Sequence, residues 1–113
     1  MQWTTRRYPV DLTKLQEQLE TDLRADYDYA IHLGQSPGSA VIKLESVGLN
    51  LRTNGQPLVP NAPEAYRCGI DLAGGLEKLT AAGIPAQLSH HAGTYLCNAA
   101  LYRDDSYPKT KLG

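Results

Sequence analysis

Phenylalanine is absent from this 113-residue chain, an omission sharpened by its seven tyrosines and one tryptophan. Cysteine is scarce. Two residues cannot staple a disulfide-rich scaffold, so a reduced, cytoplasmic protein is expected. Charge of one sign is lacking as well. Eleven Lys and Arg against twelve Asp and Glu leave a net charge of −1, which argues against a basic nucleic-acid or membrane-surface footprint. No apolar run approaches the roughly 20 residues of a membrane span. The opening MQWTTRRYPV has no apolar core of a signal peptide. What is present is 42% hydrophobic residues, enough to exclude wholesale disorder, on a length that supports one core and not two. A single domain over 1–113 is expected.

The apolar spacing predicts alternating helices and strands. Leu12, Leu15, Leu19 and Leu23 share one face of a helix over 11–25, with Asp11 as its N-cap. Residues 27–33 read as a short buried strand, broken by the Gly34–Gly38 turn. Strand material follows at 40–44 and 47–51, with Glu45 between, and then a proline-rich loop over 53–63. A second helix over 71–82 carries Leu72, Leu76 and Leu79, capped by Asp71 and stopped by Gly83. Residues 84–89 read as a strand. A third helix starts at Gly93-Thr94 and carries Leu96, Cys97, Ala100 and Leu101. The segment 103–113 is polar and is expected to be a poorly ordered tail. This order indicates an α/β fold with helices on the faces of a sheet.

Cys97 falls in the first turn of the third helix. A helix N-terminus carries partial positive charge and unpaired N–H groups, and both suit a nucleophilic sulfur. A small buried apolar cysteine is the commoner case at such a position. Glu45 has the residue type that orients a histidine in a nucleophilic triad, although a solvent-facing strand end is the commoner role. His90 and His91 are adjacent and point apart in extended chain, so they do not share a metal. Neither cysteine has a Cys-x-x-Cys partner, so zinc is not expected. The Gly34–Gly38 loop is a weak phosphate-loop signal, because no Lys-Ser/Thr follows it.

Three stretches together carry a resemblance. Ser89-His90-His91-Ala92-Gly93-Thr94-Tyr95-Leu96-Cys97-Asn98 has the pattern Ser-x-x-Ala-Gly-Thr-aromatic-aliphatic-Cys-Asn. His32-Leu33-Gly34-Gln35 is followed by Leu44-Glu45-Ser46-Val47-Gly48-Leu49-Asn50. Pro63-Glu64-Ala65-Tyr66 and Ala82-Gly83-Ile84-Pro85-Ala86 link them in order and spacing. Over roughly residues 8–102 the chain resembles the pyroglutamyl peptidases. The resemblance implies a three-layer α/β/α sandwich with a mixed, mainly parallel sheet. It implies a cysteine peptidase that removes an N-terminal pyroglutamyl residue from peptides. It places Cys97 at the nucleophile and Glu45 at the triad acid. Gln35 then borders the pyroglutamyl pocket, with Tyr95 and Leu96 on its wall. A five-membered lactam suits a mostly apolar slot with a few amide partners. No cofactor and no metal are expected.

The chain also departs from the family pattern. The family's catalytic histidine stands on a later strand in a His-x-Pro setting, and no such segment follows Cys97 here. The Gly-Phe-x-Pro-Phe loop that lines the family's pocket is missing, in keeping with the absence of phenylalanine. The region around Asn50–Pro57 is shorter than the family's and lacks its Arg-aliphatic-Pro-Asp-Asn segment, leaving Arg52 as the arginine there. The sequence therefore predicts a domain without its terminal elements, holding two of three triad positions. The alternative to an enzyme is an inactive homologue acting as a structural or association module. Exposed sheet edge and apolar surface would then favour a homo-oligomer.

Overall fold

A computed structural model describes residues 2–25 and 27–106. Helix α1 spans Leu12–Leu23, and the side chain of Asp11 accepts a 2.9 Å hydrogen bond from the Lys14 N–H at its start. The predicted leucine face is the buried one: Leu15 and Leu19 are enclosed. Strand β1 covers Ile42–Glu45 and β2 Val47–Leu49, while β3 covers Ala65–Arg67. Helix α2 is Leu72–Ala81, β4 is Ala86–Ser89, and α3 is Leu96–Ser106. Asp71 caps α2 by accepting from the Gly74 N–H, and Gly83, at φ 75°, ends it in the left-handed conformation predicted for that position.

The sheet is mixed. β1 pairs with β4 in parallel, from Ile42 opposite Ala86 to Glu45 opposite Ser89. β2 pairs with β3 antiparallel, from Val47 opposite Arg67 to Leu49 opposite Ala65. Ser46 joins the two ladders: its N–H donates to the Ser89 carbonyl and its own carbonyl accepts from the Cys68 N–H, both at 2.9 Å. α3 packs on β2 and β3, α1 packs against α3, and α2 packs on β4. This is the α/β arrangement expected, with helices laid on a mixed sheet.

The core lies where α1 and α3 meet the 58–59 loop. Leu15, Leu58, Ala99 and Tyr102 are buried together, with Tyr8, Leu12, Val59, Tyr66 and Leu96 packed around them. The Tyr102 ring lies 5.0 Å from that of Tyr66, and its hydroxyl donates to the Pro63 carbonyl at 2.6 Å. Burial, followed by the neighbouring Tyr66, holds the Tyr102 phenol above its ordinary pKa. Gly48 permits the close approach of α3 to β2, because an added Cβ would lie 2.6 Å from the Tyr102 backbone nitrogen.

Three expectations fail. Residues 27–33 form no strand: Tyr27, Tyr29, Ile31 and Leu33 are all exposed, and no ladder takes up the segment. Strand β3 falls in a stretch read as linker; it is only three residues long and is defined by its pairing with β2. The predicted tail is helical over Arg103–Ser106, where Arg103 donates twice to the Gln16 side chain of α1, at 2.7 and 3.0 Å. The rest of that segment lies outside the described residues.

Candidate active site

Glu45 lies at the C-terminal end of the parallel pair β1 and β4, the end from which the chain leads into α3. That is the end at which open α/β sheets bind ligands. Glu45 closes β1 opposite Ser89, the last residue of β4. The chain then runs from Ser89 through His90 and His91 into α3, whose second residue is Cys97.

Cys97 is exposed, against the commoner reading of a buried apolar cysteine, whereas Cys68 is half-buried. The first α3 hydrogen bond runs from the Ala99 N–H to the Tyr95 carbonyl at 2.9 Å. The N–H groups of Leu96, Cys97 and Asn98 therefore precede the helical ladder, and no acceptor satisfies them among the described residues. Among the described residues they are free donors at the helix end that carries Cys97.

The Gly34-Gln35 loop lies beside that sulfur. A Cβ built on Gly34 would lie 2.5 Å from Cys97 Sγ. Gln35 is exposed next to it, and Tyr95, two residues before Cys97, is half-exposed. Leu96 turns the other way and packs on the core. Glu45 is half-buried, and its Oε2 is enclosed with no hydrogen-bond partner among the described residues.

The histidines face other groups. His90 Nδ1 lies 2.5 Å from Ser46 Oγ. His91 Nδ1 accepts from the Gly93 N–H at 2.9 Å. His32 Nε2 is 3.6 Å from Asp104 Oδ2 of α3. None of the three hydrogen-bonds Cys97 among the described residues. Arg52 is occupied by its own loop, donating from Nε to the Pro57 carbonyl. A shallow cleft lined by Arg6, Glu17, Gln18, Thr21 and Asp22 runs along α1 and includes none of these residues.

Sequence reasoning missed Asn98 as the residue that fixes the site. It is fully buried. Its Oδ1 accepts from the Leu49 N–H, and its Nδ2 donates to the carbonyls of Leu49 (2.9 Å) and Leu51 (3.4 Å). The side-chain amide thus stands in for a neighbouring strand on β2 and anchors the start of α3 one residue past the thiol. Asn50 repeats the device, bridging to Val59 and Ala62. The signal was available: an amide directly after Cys97, and another after the aliphatic residue of β2.

A sequence model of the pyroglutamyl peptidase family matches residues 1–112, beyond the 8–102 span of the motif resemblance. The pyrrolidone-carboxylate peptidase of Pyrococcus furiosus is 35% identical over 118 residues, taking in 94% of this chain and 57% of that protein. The crystal structure of the pyrrolidone carboxyl peptidase of Thermus thermophilus superposes with a TM-score of 0.82 at 32% identity. That match covers 90% of this chain and 59% of the other. The enzyme of Fervidobacterium islandicum gives 0.79 at 36% identity, covering 85% and 52%. The chain belongs to the pyroglutamyl peptidase family. It spans a little over half the length of these relatives.

Proposed function

We propose that this chain carries the nucleophile-bearing part of a thiol peptidase that releases an N-terminal pyroglutamyl residue from peptides. The observation that supports it best is the start of α3: an exposed Cys97 among three free N–H donors, at the end of the parallel strands. In this reading a histidine takes the Cys97 thiol proton as the sulfur attacks the exocyclic carbonyl carbon of the pyroglutamyl residue. The carbon–sulfur bond forms, and the carbonyl oxygen takes up negative charge that the free N–H groups stabilise. The bond to the next residue's nitrogen then breaks, the amine leaves with a proton from a histidine, and water hydrolyses the thioester. Glu45 is the acid that orients that histidine. Its enclosed, unpartnered oxygen is consistent with that role. Gln35 and Tyr95 border the lactam slot, and Leu96 backs it from the core side.

In this reading neither His90 nor His91 is the base: their Nδ1 atoms meet Ser46 and Gly93, and neither ring hydrogen-bonds Cys97 among the described residues. The 113-residue chain alone is therefore expected to bind and alkylate without turning over. A pyroglutamyl chloromethyl ketone should label Cys97 faster than its prolyl analogue, and leave Cys68 unreacted. Equal rates for the two ketones would sink the substrate reading. Robust release of a fluorogenic leaving group by the purified chain, lost in both Cys97→Ser and His91→Ala, would overturn the assignment of the base.

A further inference from the structure

Gly38, Gly55, Gly83 and Gly93 have left-handed backbones, which explains glycine at each. Gly34 has no such backbone and lies exposed outside any helix or strand. Its conformation is open to any residue. What excludes a side chain is one neighbour. A Cβ at position 34 would lie 2.5 Å from Cys97 Sγ and 3.9 Å from Cys97 Cβ, with no other atom within 4 Å beyond the adjacent residues. The loop also approaches the same helix two residues earlier, where His32 Nε2 lies 3.6 Å from Asp104 Oδ2. Cys97 and Asp104 are about two helical turns apart, so both contacts fall on one face of α3.

We propose that Gly34 is the positioning residue of the Cys97 thiol. By lacking a side chain it leaves the volume the sulfur occupies, and its backbone limits the sulfur to a rotamer open to solvent. This role in a reaction rests on Cys97 being the nucleophile; the steric coupling of the two residues does not. Alanine at 34 forces the sulfur to another staggered position. Any other staggered position moves the sulfur off the exposed place it holds beside the loop.

The test compares the parent chain with Gly34→Ala, Cys97→Ala and the double variant. Gly34→Ala should lower Tm by more than about 3 °C when Cys97 is present, and by less than about 1 °C when position 97 is alanine. It should also slow iodoacetamide labelling of Cys97 at least about threefold, with Cys68 as an unchanged internal reference. A Tm loss that persists in the Cys97→Ala background overturns the proposal, and so does any smaller slowing of Cys97. A coupling that holds while the two chloromethyl ketones react alike defeats the pyroglutamyl-substrate reading and leaves the sulfur's placement standing. The converse result defeats the placement alone.

Discussion

Helices α2 and α3 are of nearly equal length, ten and eleven residues, and are held in opposite ways. α2 has an aspartate cap, three leucines at helical spacing and a left-handed glycine at its end. It nevertheless buries no residue fully. α3 has no comparable apolar stripe, yet Asn98, Ala99, Ala100, Tyr102 and Asp104 are all buried. Its bonds reach far along the chain, to Leu49, Leu51, Pro63 and Gln16. Local signals specify α2, whereas tertiary partners specify α3. The thiol sits on the second kind of helix, where its position is fixed by the rest of the fold.

The comparison can be broken most severely at Tyr102. Tyr102→Ala should cost about 3–5 kcal/mol in urea unfolding, by opening a cavity in the core and freeing the Pro63 carbonyl. Leu76→Ala in α2 should cost less than about 2 kcal/mol, because Leu76 is half-buried. Equal costs would erase the distinction between the helices. Asn98→Ala comes next, at about 2–3 kcal/mol, since it strands the Leu49 N–H and carbonyl. It should also loosen the start of α3 and alter Cys97 alkylation. Asp71→Ala should cost about 1 kcal/mol and leave Cys97 alkylation unchanged, because the cap serves α2 alone. The smallest effect is expected at Glu45. Glu45→Gln should stay within about 1 kcal/mol, as its enclosed oxygen has no partner to lose among the described residues. A strong destabilisation there would reveal a structural role.

The same contrast explains what could be read from the sequence. α1, α2 and both aspartate caps were legible because spacing and capping are local properties. The placement of the candidate residues was legible as a motif: Cys97 in the first turn of a helix, Glu45 at a strand end. Residues 27–33 misled because alternating tyrosines and aliphatics suit a strand, but a strand also needs a partner, which composition does not supply. β3 escaped notice for the converse reason. Ala65-Tyr66-Arg67 has little intrinsic signal and is a strand because β2 lies beside it. Asn98 and Gly34 were visible as letters, but their work depends on what lies 47 to 63 residues away.

Ser46 carries a consequence for motion. Its N–H closes the parallel ladder and its carbonyl continues into the antiparallel one. A one-residue slip of β1 against β4 would turn Glu45 to the opposite face of its ladder. Such a slip cannot occur in one ladder without tearing the other, so the junction acts as a register lock. Hydrogen exchange at the Ser46 and Cys68 amides should then follow one common opening rather than independent fraying of two strand ends. The carboxylate beside the junction is held in place by backbone geometry, before any side chain takes hold of it.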